Sequence, residues 1–234
     1  MSEALYLKDC SIREFDAKVI FVEENKVELD KTAFYPRSGG VAHDTGYLIK
    51  DEKKYQVLEV LKEGNRIIHV LNEKGLQFND LVHGIIDWER RRMLMRMHTA
   101  AHLLSAIFYN KLGAKITGNQ IDFDKSRIDF SLESFDRALI ESVIEEANRL
   151  IEKDAQIKIY FLKREEALKI PGLVKLAEAQ PPNIDTLRIV EIEGIDIQAD
   201  GGCHVSRLKE IGKIVLLKME NKGKTNRRIY YKVE

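Results

Sequence analysis

Two histidines, His98 and His102, lie four residues apart in a stretch of sequence without Gly or Pro. Residues at this spacing lie one above the other on one face of an α-helix, so both imidazoles can reach one metal ion without backbone strain. The spacing alone is common, and it equally describes two helical histidines that pack or face solvent. The Glu of H-E-x-x-H is missing, which leaves a zincin protease reading without a general base.

A second group of metal-binding residue types lies in the segment 196–205, which contains Asp200-Gly201-Gly202-Cys203-His204. Asp, Cys and His side chains all bind zinc, and the glycine pair lets the backbone turn tightly between Asp200 and His204. The alternative is a simple hairpin turn at Asp200-Gly201 beside a small buried cysteine. The two segments together favour a metal site.

The elements that must position these residues change character along the chain. From Leu5 to about Asp87, short β-branched and alternating stretches are separated by polar turns, which is typical of a small barrel. Hairpins are predicted over residues 16–30 and 55–71. We therefore predict an N-terminal β-barrel domain over residues 1–87.

A long helix is predicted from Trp88 to just before Gly113, because neither Gly nor Pro interrupts this stretch. Apolar residues recur in it at three- and four-residue steps, which predicts one buried stripe of Leu94, Met97, Ala101, Leu104 and Phe108. Strands and helices then alternate, with strands near 115–123, 127–132, 156–162 and 186–198, a helix over about 135–153, helical turns from Arg164 and a last hairpin around Gly223. The fold class predicted is α+β, with a second domain over residues 88–234.

Composition restricts the class of protein. The 38 basic and 38 acidic residues cancel, so net charge indicates no nucleic-acid partner, although a local basic surface would suffice to contact phosphates. No apolar run approaches the roughly 20 residues that span a bilayer, and the N-terminus lacks the pattern of a signal peptide. We expect a cytoplasmic protein without a membrane partner, in which Cys10 and Cys203 form no disulfide.

The two histidine segments together resemble the AlaX family of free-standing alanyl-tRNA editing proteins and the editing domain of alanyl-tRNA synthetase. The family joins H-x-x-x-H on a helix to a later C-x-x-x-H, and these four side chains hold zinc. The resemblance implies one Zn²⁺ per chain bound by His98, His102, His204 and Asp200, or a water in its place, with Asp at the usual Cys position. Cys203, at the usual Thr position, is the alternative fourth ligand, although neighbouring residues in extended chain point to opposite faces.

Two further segments extend the resemblance. Residues 32–46 resemble an element that marks the longer AlaX forms, which carry a β-barrel before the editing domain, although Ser38 and Val41 replace a family Gly and Gln. Without the resemblance, a glycine turn in a barrel is the preferred interpretation. Residues 118–130 resemble the strand pair beside the zinc, or are surface residues at a strand start. The predicted substrate and specificity residues are Thr32, Gly39, Gly40, Asn119 and Gln120.

The resemblance implies hydrolysis of the ester in mischarged tRNA(Ala), Ser-tRNA(Ala) and in longer members Gly-tRNA(Ala), while Ala-tRNA(Ala) is spared. A site whose buried polar groups need the serine hydroxyl rejects alanine, and Thr32 is predicted to supply such a group. Alternatives are a metal-dependent hydrolase of a small ester or amide, and a tRNA- or synthetase-associated binding module with structural zinc. A monomer and a homodimer are both open. Predicted tRNA contacts are Arg90, Arg91, Arg96, Lys222 and Lys224.

Overall fold

The computed structural model describes residues 2–133, 136–173, 175 and 183–234. The chain divides into two compact units, Met1–Leu94 and Met95–Glu234. This division falls inside the long helix, whereas the sequence places the domain boundary near Asp87, before the helix begins. The domain limits 1–87 and 88–234 stay predictions.

The first unit consists of short strands and one 3-10 turn: β1 (Glu3–Ala4), the turn (Leu5–Leu7), β2 (Glu14–Glu23), β3 (Lys26–Leu29), β4 (Lys31–Thr32), β5 (Gly46–Lys50), β6 (Lys53–Glu63), β7 (Arg66–Leu71) and β8 (Leu81–Ile86). Six of them form a closed barrel in the order β2-β3-β7-β6-β5-β8 with antiparallel neighbours. β1 and β4 pair in parallel. The predicted small barrel is confirmed, with a 3-10 turn where strand was expected at its start.

Side-chain alternation explains the barrel wall. In β2, Phe15, Ala17 and Val19 are buried while the residues between them are exposed, as a strand with one face on a core requires. The two predicted hairpins are present as β2–β3 and β6–β7. Their turns carry Glu24 at φ 57° and Gly64 at φ 61°, and Gly64 takes this backbone conformation without the steric cost of a Cβ.

The second unit takes in most of the long helix and alternates strands with helices: α1 (Trp88–Leu112), β9 (Ile116–Gln120), β10 (Ser126–Ser131), α2 (Arg137–Glu152), β11 (Ile157–Lys163), α3 (Arg164–Ala167), β12 (Thr186–Ile192), β13 (Asp196–Ala199), a 3-10 turn (Leu208–Ile211), β14 (Ile214–Asn221) and β15 (Asn226–Val233). One antiparallel sheet has the order β14-β15-β10-β9, and a second has the order β11-β12-β13. Sheets and helices packed in this way are an α+β fold, as predicted.

The long helix α1 is the central element of the second unit. The predicted stripe is buried, but so is every residue from Met97 to Phe108, so the helix is enclosed on all sides over this stretch. Phe108 stacks on Phe130 of β10 with ring centroids 4.1 Å apart, and the Tyr231 hydroxyl of β15 donates to the Met97 carbonyl at 2.8 Å. His98 and His102 are therefore held by a rigid, buried helix.

The helix α2 begins close to the predicted place. Asp136 caps its N-terminus by accepting a hydrogen bond from the Ala138 amide at 2.9 Å, which satisfies one of the first free N–H groups of the helix. The predicted starting residue, Phe135, lies outside the described residues. Farther along, Asn148 exchanges two hydrogen bonds with the backbone of Ile214 and so fixes α2 to β14. Within the described ranges, no helix is both long and apolar enough to cross a membrane.

Candidate metal centre

Four side chains of the second unit form one cluster. His98 and His102 come from α1, Asp200 follows β13 directly, and His204 lies four residues farther on. One ligand atom from each residue lies within 4.8 Å of the corresponding atom of every other, so the group could hold a metal ion. The sequence predicted this set, and the fold brings all four members together.

The imidazole rings surround the Asp200 carboxylate. Its oxygens lie 3.8 Å from His98 Nε2, 4.0 Å from His102 Nε2 and 3.1 Å from His204 Nε2. The ring centroids are 4.2 to 4.9 Å apart. All three histidines are buried and Asp200 is half-buried, so the cluster meets solvent on the Asp200 side.

The partners of the other ring nitrogens determine where the lone pairs of His98 and His204 point. His98 Nδ1 lies 3.4 Å from the Cys203 carbonyl, which can only accept, so this nitrogen carries the proton. His204 Nδ1 lies 3.1 Å from the Thr99 hydroxyl, whose own proton goes to the Met95 carbonyl. Thr99 can therefore accept from His204 Nδ1 when a cation takes the Nε2 lone pair, in place of the hydrogen bond between His204 Nε2 and Asp200 Oδ2 at 3.1 Å. In both rings the Nε2 lone pair is left facing Asp200.

His102 follows the same pattern with a carboxylate behind the ring. Its Nδ1 lies 3.5 Å from Asp196 Oδ2 on β13, and a carboxylate favours the proton on the nitrogen that faces it. The Nε2 lone pair of His102 then points at the shared centre. Three nitrogen lone pairs and one carboxylate thus face each other, an arrangement that fits a bound cation and that would be repulsive without a cation or a proton between the donors.

Burial and the neighbouring charges together keep His98, His204 and Asp200 in their metal-binding ionisation states. Burial lowers the pKa of His98 to about 4. The pKa of His204 is also lowered well below its usual value, by burial and then by the neighbouring rings. Burial alone would raise the pKa of Asp200, but attraction to the imidazoles in their protonated form, that of His98 first, and the hydrogen bond with His204 outweigh burial and hold that pKa well below the usual range. At neutral pH His98 and His204 are therefore neutral imidazoles and Asp200 is a carboxylate, as metal ligands must be.

Gly202 is needed because His98 packs against it. A Cβ built on this residue would lie 2.3 Å from His98 Cε1 and 2.6 Å from His98 Nδ1. The sequence assigned the glycine pair a tight turn, yet neither Gly201 nor Gly202 is among the residues with positive φ. The Gly202 amide donates to Asp200 Oδ2 at 2.6 Å, so the same backbone approach also orients the carboxylate.

Cys203, the alternative fourth ligand, takes a different part in the site. Its backbone carbonyl accepts from His98 Nδ1, while the sulfur is not a member of the four-residue group. The thiol is buried and in no disulfide, as is that of Cys10. The geometry therefore favours Asp200 over Cys203 as the fourth donor.

Two contributors to the site were missed by the sequence analysis. Thr99 orients His204, and Asp196 lies behind His102. The carboxylate of Asp196 accepts from Lys175 Nζ and, at 2.7 Å, from Gln198 Nε2. A signal for Asp196 was present, since Asp196 and Gln198 alternate along β13, which ends directly before Asp200, and so share a face.

The predicted specificity residues of the first unit lie in a buried strand and a turn. Thr32, in β4, is fully buried, and its hydroxyl contacts His69 Nε2 at 2.9 Å. Gly39 and Gly40 are exposed and have φ values of 61° and 83°. Two positive φ values between the paired residues Ser38 and Val41 are typical of a type I′ turn.

Asn119 and Gln120 occupy β9 of the second unit. Asn119 is opposite the buried Ile128 in the β9–β10 ladder and is partly buried. Gln120 is exposed, and its side-chain oxygen accepts from Arg127 at 3.4 Å. Their proposed contact with substrate stays a prediction.

The predicted tRNA-binding residues differ in accessibility. Arg91 is 1% exposed, and its guanidinium binds the Asp44 carboxylate and the carbonyls of Cys10 and Ala33, so it is placed to organise the first unit rather than to meet phosphate. Arg90 and Arg96 are partly buried and donate to the His43 and Ile211 carbonyls respectively. Lys222 and Lys224 are exposed near the β14–β15 turn, where Lys222 pairs with Glu220.

Comparison with known families gives two partial matches that together span both units. Residues 187–230 match the family described as the threonyl and alanyl tRNA synthetase second additional domain. Residues 3–90 match the family described as tRNA synthetases class II (A). The first of these matches includes Asp200 and His204.

Whole-chain comparison gives closer relatives. The chain is 53% identical over 237 residues to the alanyl-tRNA editing protein AlaX-M of Saccharolobus solfataricus, with 100% of both chains covered. It is 44% identical to the AlaX-M protein of Methanosarcina barkeri over 99% of this chain and 98% of that one. An alanine–tRNA ligase of Saccharolobus islandicus is 38% identical over 94% of this chain but only 25% of its own length. The chain therefore belongs to the AlaX-M family of alanyl-tRNA editing proteins.

Proposed function

We propose that this protein is a trans-editing hydrolase that cleaves the ester of mischarged tRNA(Ala), with one Zn²⁺ held by His98, His102, His204 and Asp200. The expected substrates are Ser-tRNA(Ala) and Gly-tRNA(Ala), while Ala-tRNA(Ala) is spared. The observation that carries the proposal is the convergence of three imidazole lone pairs and a carboxylate, in a chain matched end to end by alanyl-tRNA editing proteins. Nitrogen and carboxylate donors suit zinc.

In this proposal, the residues of the chain orient the metal ligands and do not themselves react with the substrate. The Cys203 carbonyl and Thr99 fix the rings of His98 and His204, and the Gly202 amide fixes Asp200. A zinc ion bound there supplies Lewis acidity for the ester carbonyl or for a water nucleophile. Burial of the three rings excludes bulk water from their side of the centre, so the aminoacyl ester is expected to approach beside the half-buried Asp200.

Thr32 is proposed to select serine, and its hydrogen bonds restrict how it can do so. His69 Nδ1 faces the Val27 carbonyl at 3.3 Å and therefore carries the ring proton, since burial lowers the pKa of His69 to about 4. His69 Nε2 then accepts from the Thr32 hydroxyl, which in turn accepts from the Phe34 amide. One lone pair of Thr32 stays available to accept from a seryl hydroxyl. Because Thr32 is fully buried, this role requires that the segment become accessible when tRNA binds.

The contact surface for tRNA is proposed to include Lys222 and Lys224. Both are exposed, and phosphate contacts need mobile cationic side chains that reach into solvent. Neutral overall charge predicts that binding depends on a few such contacts, so binding should weaken only modestly with salt, since the salt dependence scales with the number of phosphates contacted.

The test is a deacylation assay with Ser-, Gly- and Ala-tRNA(Ala), run on the wild type and on His98→Ala after metal analysis. Loss of bound zinc together with loss of seryl-ester cleavage is the expected result. Uncharged tRNA(Ala) should compete with the substrate, whereas a hydrolase of small esters would be indifferent to it. A metal-free preparation that cleaves Ser-tRNA(Ala) at the wild-type rate would refute the proposal.

A structural zinc is the second candidate, because four protein donors converge and structural sites are closed by four such ligands. The two functions predict different behaviour on chelation. A catalytic ion leaves the apo-protein folded and inactive, whereas removal of a structural ion unfolds the second unit. Far-ultraviolet circular dichroism of the chelated protein, read beside the deacylation rate, distinguishes them.

A further inference from the structure

The ring of His102 has a buried nitrogen that no hydrogen bond satisfies among the described residues. This atom is Nδ1, the one turned away from the metal centre. Asp196 Oδ2 lies 3.5 Å from it, just beyond hydrogen-bond length. A buried donor without an acceptor costs about 1–3 kcal/mol, so a shift of a few tenths of an ångström towards the carboxylate is favourable.

Asp196 is held in place by its own partners. Lys175 Nζ donates to Asp196 Oδ1 and also contacts the carbonyls of Gly172, at 3.2 Å, and Ile197. Gln198 Nε2 donates to Asp196 Oδ2 at 2.7 Å. The carboxylate is completely buried and the Lys175 side chain is 6% exposed, so this ion pair lies in the protein interior.

The same polar network also contacts the main chain of His102. Gln198 Nε2 also contacts Ser105 Oγ at 3.2 Å, and the Ser105 hydroxyl donates to the His102 carbonyl at 2.9 Å. His102 is therefore reached from both its ring and its main chain by one buried polar network. Such a network has few alternative arrangements, because each displaced member would leave a buried polar group unpaired.

We propose that Asp196, fixed by Lys175 and Gln198, is the positioning residue that sets the ring orientation and tautomer of His102 for metal binding. This inference rests on the proposed metal centre. A carboxylate behind a ligating imidazole keeps the proton on the outer nitrogen, aims the inner lone pair at the ion and raises the basicity of the ligand. Asp196 does not touch the ion or the substrate in this role.

The decisive variant is Asp196→Asn, which keeps the size of the side chain. Its amide group can donate to His102 Nδ1 and so favours the tautomer whose Nε2 carries the proton and cannot bind a metal. Loss of such an outer partner typically weakens metal affinity 10–100-fold. We expect a loss of about this size, measured as the Zn²⁺ dissociation constant of the whole chain by competition with a chromophoric chelator.

Lys175→Met separates positioning from folding. Gln198 still holds the Asp196 carboxylate behind His102 in this variant, but the buried charge loses its partner, which is strongly destabilising. We expect a large drop in the denaturant midpoint with Zn²⁺ affinity within about threefold of wild type. The double variant Asp196→Asn/Lys175→Met removes both charges, so the midpoint should recover while the affinity stays low.

Asp129→Asn is the matched control. Asp129 is also a well-buried carboxylate of the second unit, held by Arg127 and Arg228 on the four-stranded sheet. Its loss should lower the denaturant midpoint and leave the Zn²⁺ affinity unchanged. The absorption spectrum of the Co²⁺-substituted protein gives a second readout, since a misoriented His102 changes the ligand field whereas a remote destabilisation does not.

The outcomes separate this inference from the proposed function. A wild-type chain that binds no stoichiometric Zn²⁺ refutes the metal centre and the positioning role together. If the wild type binds Zn²⁺ and folded Asp196→Asn binds it within about threefold as tightly, the positioning role alone is wrong. If the Zn²⁺ affinities of the four variants fall in parallel with their denaturant midpoints, Asp196 has a purely structural role.

Discussion

Replacing Gly202 by alanine tests the tightest approach in the site. The added Cβ would lie 2.3 Å from His98 Cε1, 2.6 Å from His98 Nδ1 and 3.1 Å from Asp200 Oδ2. Carbon atoms in contact sit about 3.5–4.0 Å apart, so the ring or the loop must move by roughly 1.2 Å. Metal–ligand distances tolerate only about 0.2 Å. The substitution should therefore remove His98 from the metal's ligands.

The expected effect is a loss of Zn²⁺ affinity of about 100-fold or more, which corresponds to roughly 3 kcal/mol at about 1.4 kcal/mol per tenfold change. Overpacking should lower the free energy of unfolding by about 1–3 kcal/mol. Chelator competition measures the first quantity and denaturant unfolding of the metal-free protein measures the second. Seryl-ester hydrolysis should fall together with the affinity.

Gly223→Ala serves as the control, because it strains the backbone at φ 121° while nothing lies within 4 Å of its Cβ. It should lower stability by about 1–3 kcal/mol and leave Zn²⁺ binding intact. A folded Gly202→Ala protein that binds Zn²⁺ as tightly as the wild type would show that the close packing of His98 on Gly202 is not needed for ligation.

Three further predictions concern the other buried groups. Asp200→Cys restores the usual family residue and should keep stoichiometric Zn²⁺ binding, whereas Asp200→Ala should lose about 10-fold or more in affinity by the same titration. In the wild type, burial lowers the pKa of folded His69 from 6.5 to about 4, so the unfolded state binds more protons between these pH values. His69→Gln removes this group and should flatten the dependence of the free energy of unfolding on pH on the acid side. The wild type therefore loses up to about 3 kcal/mol of stability as pH falls through this window, at about 1.4 kcal/mol per pH unit. Urea unfolding from pH 7 to 4 that gives the wild type and the variant equal slopes of stability against pH would contradict this. Thr32→Val should change the serine-to-glycine activity ratio but also cost about 1–3 kcal/mol by leaving His69 unpaired, whereas Thr32→Ser should keep both stability and the preference for serine.

The features that the sequence predicts well are those that depend on local periodicity. The i, i+4 spacing of His98 and His102 and the absence of Gly and Pro determine the helix, and alternation with polar turns determines the strands of the first unit. Closure of the barrel depends on pairings such as β2 with β8, which join residues distant in sequence and have no local signature. The resemblance to the AlaX family, and not the spacing of residues along the chain, predicted that Asp200 and His204 bind the same ion as the two helical histidines.

The residues that sequence analysis misjudged are those whose partners are remote. Arg91 belongs to a charged run that looks solvated, yet Asp44, far away in the chain, holds it in the interior. Thr99 follows His98 directly and carries no spacing signal, because its role depends on His204 folding back onto α1. Asp196 could have been found from the period of two along β13, since polar residues on one buried strand face require partners.

Position 203 illustrates which part of a residue a site can depend on. What His98 uses there is an amide carbonyl, and every amino acid carries that group wherever the main chain keeps its path. The contact with His98 therefore places no demand on the side chain at position 203, where cysteine stands in place of the threonine usual in the family. A substitution at position 203 should thus preserve the orientation of His98 as long as the main chain keeps its path.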